Sequence, residues 1–250
     1  DGDGYGTSKT LASTDLDCTD TGEASAATDC DDGDPAIHPG AEEICGDDVD
    51  NDCDGSSPPC GFWGEMNLSA ADAKLLGETA DDLTADSLAA GDLDGDGYDD
   101  ILVGAPDEGE ATQKGAVYLV SGPVSGPMDL SAAHAKIVGE GDWDQAGRAL
   151  AVTDVDGDGR QDVLIGAPSA SAGAEECGAV YLLYGPVLGW VGLSAADARF
   201  AGEEAGDFAG MVVAGDVDGD GLPDIAIGAP GQDAGGRDAG AAYVLYGGGS

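Results

Sequence analysis

Three stretches of this 250-residue chain place aspartate at every second position. Asp92-Leu93-Asp94-Gly95-Asp96-Gly97-Tyr98-Asp99-Asp100 carries carboxylates at its first, third, fifth and ninth places. Asp154, Asp156, Asp158 and Asp162 hold the same places in a second stretch, and Asp216, Asp218, Asp220 and Asp224 in a third. Alternate carboxylates on a tight loop converge on one point. Ca²⁺ takes six to eight hard oxygens at about 2.3–2.6 Å in such a loop. Glycines at the fourth and sixth places permit the backbone angles of the curl. The seventh residue, Tyr98, Arg160 or Leu222, offers its backbone carbonyl. Four carboxylates this close repel one another, and a divalent cation removes that cost. A plain acidic turn is the alternative, and threefold recurrence of an identical pattern argues against it. An EF-hand needs an acid at its twelfth place and flanking helices. Here the twelfth residue is Val103, Ile165 or Ile227, inside an apolar run, so the loop joins two strands.

The elements that hold these loops repeat with them. Leu68-Ser69-Ala70-Ala71-Asp72-Ala73-Lys74 returns as Leu130-Ser131-Ala132-Ala133-His134-Ala135-Lys136 and as Leu193-Ser194-Ala195-Ala196-Asp197-Ala198-Arg199. Gly104-Ala105-Pro106 returns at Gly166 and Gly228, and Gly115-Ala116-Val117-Tyr118-Leu119 at Gly178 and Gly240. The period is about 62 residues. In the first copy, apolar runs near 73–78, 86–91, 100–105 and 115–121 are bounded by Gly, Pro and Asp, which reads as four strands. Four strands per repeat is the pattern of a propeller blade. The Leu-Ser-Ala-Ala segments are long enough for a helical turn only. The expected organisation is a Cys/Asp-rich head over 1–60 and three repeats over 61–250, about 65–127, 128–190 and 191–250.

Composition narrows the function. Eight Lys+Arg against 51 Asp+Glu gives a net charge of −43, which excludes nucleic-acid binding through phosphates and docking to an anionic membrane. The 44 Gly and 11 Pro imply many turns and little helix. The longest uncharged stretch, Cys177 to Ala196, carries Pro186 and four glycines and reads as strand plus connection, so no membrane insertion is expected. There is no nucleophile elbow, no phosphate loop and no paired His/Asp arrangement, so the chain reads as non-enzymatic. Of six cysteines, Cys18, Cys30, Cys45, Cys53 and Cys60 lie in the head and Cys177 in the second repeat. They do not form paired zinc-ligand groups, and disulfides in an oxidising compartment are the better reading. Cys18–Cys30 and Cys45–Cys53 are compatible local pairs, leaving Cys60 and Cys177 to bond to each other or across chains. Spacing does not fix connectivity. Asp1-Gly2-Asp3-Gly4 reads as the middle of a loop, so the chain is expected to be a processed product or a piece of a longer precursor.

The repeats resemble FG-GAP repeats, the blades of the integrin α-subunit propeller and of many secreted bacterial proteins. The resemblance rests on the DxDGDGxxD loop, the following Gly-Ala-Pro and the GAVY strand, over roughly 65–247. The Phe-Gly place of the family reads Thr84-Ala85, Ala146-Gly147 and Phe208-Ala209. The resemblance implies an all-β fold of four-stranded blades with calcium in the loop between the first two strands of each. In the head, Asp29-Cys30-Asp31-Asp32-Gly33-Asp34, Ile37 to Cys45 and Asp50-Asn51-Asp52-Cys53-Asp54-Gly55 resemble the MopE-type metal-binding motif of secreted bacterial surface proteins. That implies a small, irregular, disulfide-rich domain holding calcium or another cation through Asp29, Asp31, Asp34, Asp50, Asp52 and Asp54. His38 is a candidate copper ligand, though a lone histidine is more often a solvated turn residue. His134 occupies the slot of Asp72 and Asp197 and is expected at the surface. Trp63, Trp143 and Trp190 read as packing or interface residues.

Three blades cannot close a propeller ring. The strand near 73–78 precedes the first blade, and the last ends after its third strand, near 240–246. A spare strand of one molecule would complete the last blade of another, giving a ring or a filament. Otherwise the missing blades belong to a longer precursor. The expected function is that of an extracellular, calcium-loaded structural or adhesive protein with at least three Ca²⁺ sites in the repeats. The alternatives are a propeller-type module binding a cell-surface protein or glycan, and metal scavenging by the head.

Overall fold

A computed structural model describes residues 34–41, 44, 49–53, 67–109 and 111–248. The chain divides into two compact units, Asp1–Ala70 and Ala71–Ser250. In the first unit the described residues form turns around Asn51, which is almost fully buried. The Asn51 carbonyl accepts the His38 N–H (2.8 Å), and its Oδ1 accepts the Ile44 N–H (2.8 Å). With hardly any apolar mass, a unit of this kind relies on such polar pivots and on cross-links. Cys53 is disulfide-bonded, with a partner outside the described residues.

The second unit is all-β. Its strands in chain order are β1 (Ala73–Leu76), β2 (Leu88–Gly91), β3 (Asp100–Ala105), β4 (Ala116–Val120), β5 (Gly126–Asp129), β6 (Ala135–Val138), β7 (Ala149–Thr153), β8 (Asp162–Ala167), β9 (Ala179–Leu183), β10 (Gly189–Gly192), β11 (Ala198–Ala201), β12 (Met211–Gly215), β13 (Asp224–Ala229) and β14 (Ala241–Leu245). Each repeat opens an antiparallel meander: β2-β3-β4, β7-β8-β9 and β12-β13-β14. The following repeat then adds an antiparallel outer strand, β6 on β4 and β11 on β9. Among the described residues no fourth strand pairs with β14, and β1, the counterpart of β6 and β11, pairs only with β5. The Leu-Ser-Ala segments form single 3-10 turns at Leu68–Ala70, Leu130–Ala132 and Leu193–Ala195.

Two strands escape the sequence reading. β5 runs parallel to β1, and β10 parallel to β6, outside the meanders. β5 is Gly-Pro-Met-Asp and half-buried, so neither residue type nor alternation marks it as a strand.

The sheets are apolar on both faces, which is why their central strands read as continuous apolar runs. Leu102, Val117 and Leu119 of the first sheet meet Val163, Ile165 and Tyr181 of the second. Leu164, Val180 and Leu182, on the other face of the second sheet, meet Ile225, Ile227 and Val212 of the third. Val103, Tyr118 and Val120 pack against Leu75 and Met128 from β1 and β5. Glycine permits the close approach. A Cβ on Gly104 would strike the Gly147 carbonyl, and one on Gly166 the Gly210 carbonyl.

That packing also corrects one dipeptide. Ala85, Gly147 and Gly210 donate equivalent N–H bonds to Gly104, Gly166 and Gly228, and Gly115 and Gly178 bridge Ala146 and Ala209. The third member of the Phe-Gly series is therefore Ala209-Gly210. Between Asp207 and Asp216 the third copy is one residue shorter than the corresponding Asp82–Asp92 and Asp144–Asp154 segments, which shifts the alignment.

Candidate metal centres

Each acidic loop joins the first two strands of a meander, β2 to β3, β7 to β8 and β12 to β13. Gly95, Gly97, Gly157, Gly159, Gly219 and Gly221, at the fourth and sixth places, all have positive φ between 75° and 92°. At Gly95, Gly97, Gly159, Gly219 and Gly221 a Cβ would meet nothing within 4 Å, so the backbone angle is what requires glycine there. The loop is folded by its own side chains. Asp92 accepts the N–H groups of Gly95 (2.7 Å) and Gly97 (3.0 Å) through its two oxygens. Asp94 accepts from Asp96, and Asp96 from Tyr98. Asp154, Asp156 and Asp158 repeat this scheme, with the Asp154 bonds going to Asp158 and Gly159. Asp216, Asp218 and Asp220 follow it in the third loop.

The ninth-place aspartate has a second duty. Asp100, Asp162 and Asp224 are at most 1% exposed. One oxygen of each accepts the N–H of Leu93 (3.0 Å), Val155 (2.8 Å) or Val217 (2.7 Å). The other accepts the N–H of Gly122 (3.1 Å), Gly185 (2.9 Å) or Gly247 (2.8 Å), just beyond the third strand. Burial pushes Asp162 above the ordinary carboxylate value. The charges of Asp156 and Asp154 add to this, and the Gly185 and Val155 N–H groups oppose it. At Asp224 the Gly247 N–H, with those of Val217 and Asp218, wins over burial and holds the carboxyl below that value.

Carboxylate oxygens converge in each loop. One oxygen from each of Asp92, Asp94 and Asp96 lies within 4.8 Å of the others, as do Asp154, Asp156 and Asp162, and Asp216, Asp218 and Asp224. A single divalent ion can bridge that span, so the residues fit the expected cation. The fifth-place aspartate joins the cluster in the first loop, and the ninth-place one in the second and third. Asp158 instead lies 3.9 Å from the Arg160 guanidinium. In the head, Asp34 is exposed and accepts the Ala36 N–H, while Asp50 and Asp52 are half-buried. Asp29, Asp31 and Asp54 lie outside the described residues.

These loops lie inside the three spans that a family model matches. The FG-GAP repeat model matches residues 84–120, 146–183 and 210–245. The chain carries three FG-GAP repeats. A second family model, for a metal-binding motif of the copper-binding MopE type, matches residues 29–57. The FG-GAP chain is 34% identical over 167 residues to phosphatidylinositol-glycan-specific phospholipase D of Rattus norvegicus, covering 64% of this chain and 20% of the relative. It is 31% identical over 212 residues to integrin alpha pat-2 of Caenorhabditis briggsae, covering 74% and 17%. With integrin alpha-5 of Xenopus laevis it shares 32% over 158 residues, 59% and 15%. The chain thus spans a fifth or less of the length of these relatives.

Two places in the FG-GAP repeats carry the same charged box, which sequence reasoning missed. Glu78, from the turn after β1, accepts a hydrogen bond from the Tyr118 hydroxyl (2.9 Å) and an ion pair from Lys136 of β6 (2.7 Å). Glu108 holds the same ammonium at 2.9 Å, and the Tyr118 and Trp190 rings lie 4.9 and 5.3 Å from it. Burial alone would lower Lys136, but hydrogen bonds with Glu78, Glu108 and Tyr118 raise it above the ordinary lysine value. One repeat on, Glu140, Tyr181 and Arg199 form the same box, with both Glu140 contacts at 3.2 Å. Burial, then the charges of Glu140 and Asp144, pushes the Tyr181 hydroxyl up to about 12. The 62-to-63-residue recurrence of Glu, Tyr and a cation was the available signal.

Two further residues settle. Cys177 is a free thiol, fully buried, with Sγ facing the Ala170 carbonyl at 3.8 Å. A free, buried thiol argues against the bond to Cys60 or to another chain that the cysteine arithmetic left open. His134 is exposed, and its Nδ1 receives the Ser121 N–H (3.1 Å), as Asp197 receives that of Tyr184 (2.9 Å).

Proposed function

We propose that this chain is an extracellular, calcium-binding, non-enzymatic structural or adhesive module whose copies join by strand complementation into a ring or a filament. The convergence of three carboxylates in each of three equivalent loops carries the calcium part of this reading. The oxygens of each cluster lie within 4.8 Å of one another, close enough to share one Ca²⁺ with bonds of about 2.3–2.6 Å. Aspartates 92, 94, 96 and 100, with their counterparts 154, 156, 158, 162 and 216, 218, 220, 224, and the carbonyls of Tyr98, Arg160 and Leu222, form the proposed ligand sets. Asp29, Asp31, Asp34, Asp50, Asp52 and Asp54 are proposed to hold a cation in the head, as the metal-binding motif at 29–57 supports.

An extracellular site is consistent with modest affinity, Kd about 10⁻⁴–10⁻³ M, because calcium is abundant there. Calcium that binds only the folded state stabilises it by about 2.7 kcal/mol per site at a hundredfold excess over Kd. The test is a thermal melt in millimolar calcium and in excess EDTA, with calorimetric titration of the chelated protein. Calcium is expected to raise Tm and to titrate at three or more sites. An unchanged Tm and no calcium heat would refute the reading. Exposed Trp143, Tyr184, Leu188 and Trp190 favour a second reading, a surface for a protein or glycan. Among the described residues no helix is long and apolar enough to cross a membrane.

A further inference from the structure

The third Glu-Tyr-cation box lacks its cation. Each box takes its acid from the turn after one outer strand, its tyrosine from the third strand of the next meander, and its cation from that meander's outer strand. Glu203 and Tyr243 occupy the acid and tyrosine places of the third box. The Tyr243 hydroxyl oxygen is buried and makes no hydrogen bond within 3.5 Å. Burial, then the charge of the nearby Glu203, pushes its pKa up, and no cation faces the pair among the described residues. The cation would stand on a strand paired with β14, and among the described residues none does. Lys74, in the slot of Lys136 and Arg199, is the reverse case. It lies exposed on β1, whose only strand partner among the described residues is β5.

The surfaces beside these two edges match. On the open face of the third sheet Met211, Val213 and Val244 are 57%, 65% and 46% exposed. On the open side of the first sheet Leu88 is 61% exposed. Gly104 and Gly166 lie under the Gly147 and Gly210 backbone of the next repeat, whereas an added Cβ on Gly228 meets only the Met211 side chain. The socket for a following Ala-Gly turn is built and unfilled, and Thr84-Ala85 is the dipeptide at that place in the first repeat.

Resting on the self-assembly reading, we propose that β1 of a second copy docks antiparallel on β14 with Lys74 opposite Tyr243, completing the Glu203–Tyr243 box. The register follows from the two completed sheets, where Tyr118 faces Lys136 and Tyr181 faces Arg199. Val244 then faces Ala73, and Ala242 faces Leu75. The first sheet of the second copy stacks on the third sheet of the first, as the second stacks on the first within one chain.

The experiment uses the whole 250-residue chain in millimolar calcium, by sedimentation velocity over about 1–100 µM. Concentration-dependent association is expected, with Lys74→Glu raising the dissociation constant at least tenfold and Lys74→Arg restoring it. Directly opposed antiparallel residues have Cα atoms about 4.5–5.5 Å apart, within disulfide range. Mixed Val244→Cys and Ala73→Cys chains should therefore cross-link, while Leu245→Cys, one place along, should not cross-link to Ala73→Cys. Association that ignores Lys74→Glu, without the 244–73 cross-link, overturns this docking and leaves self-assembly to another surface. A monomer throughout the range overturns both.

Discussion

Replacing Lys136 by methionine keeps the aliphatic stem and removes the charge. Lys136 is 6% exposed and holds two carboxylates at 2.7 and 2.9 Å. Removing one partner of a buried ion pair costs about 3–5 kcal/mol, because the other charge stays behind. Water reaches the side chains of Glu78 (31%) and Glu108 (19%), which sets the expectation at the lower end, about 3 kcal/mol. For a unit of this size each kcal/mol moves Tm by about 2–4 °C, so Lys136→Met should melt about 6–12 °C lower. Arg148→Met, breaking the more exposed 3.3 Å pair with Asp86, should cost less than about 1 kcal/mol. The pH dependence has a definite sign. Hydrogen bonds from Lys136 and Tyr118 hold Glu78 below its usual value. A depressed carboxylate contributes stability above its unfolded pKa, about 4.3, and loses it as pH falls through the folded value. Lys136, raised, contributes fully below about 10.4. The gap between wild type and Lys136→Met is therefore complete at pH 7 and narrows below about pH 4. Circular-dichroism melts at the two pH values measure it. A variant melting within 2 °C of wild type at pH 7, or a gap that widens in acid, refutes the reasoning.

Asp162→Ala and Asp156→Ala separate scaffold from ligand. Asp162→Ala strands two backbone N–H groups and should cost about 2–5 kcal/mol even in EDTA. Asp156→Ala, exposed and beside like charges, should be neutral or stabilising in EDTA and destabilising in calcium, a sign change that paired melts would reveal. Gly159→Ala meets no steric obstacle but must adopt φ near 89°, so about 1–2 kcal/mol is expected from the backbone alone, measurable by urea titration.

The loops were legible because a curled chain needs glycine at fixed places and a cation needs oxygens at fixed spacing. Both requirements act within nine residues. The doubly apolar strands β3, β8 and β13 were legible for a similar reason, since burial on both faces leaves no polar alternation. What needed coordinates was set by distant parts of the chain. β5 is a strand because β1 lies beside it, although nothing in Gly126-Pro127-Met128-Asp129 asks for extension. The scaffold duty of Asp100 depends on the Gly122 N–H, 22 residues away. Lys136 and Glu78 meet across 58 residues. The one-residue slip at Ala209-Gly210 is placed by its bonds to Gly228 and Gly178.

Since the first and second sheets each receive an outer strand from the repeat downstream, the covalent unit of duplication and the folded unit are out of phase. Copying any 62-residue segment in frame would lengthen the array with one more complete sheet and one more acidic loop, yet create no junction of a new kind. Growth by tandem duplication would thus be tolerated at any internal point, and array length would be free to drift without redesign of its seams.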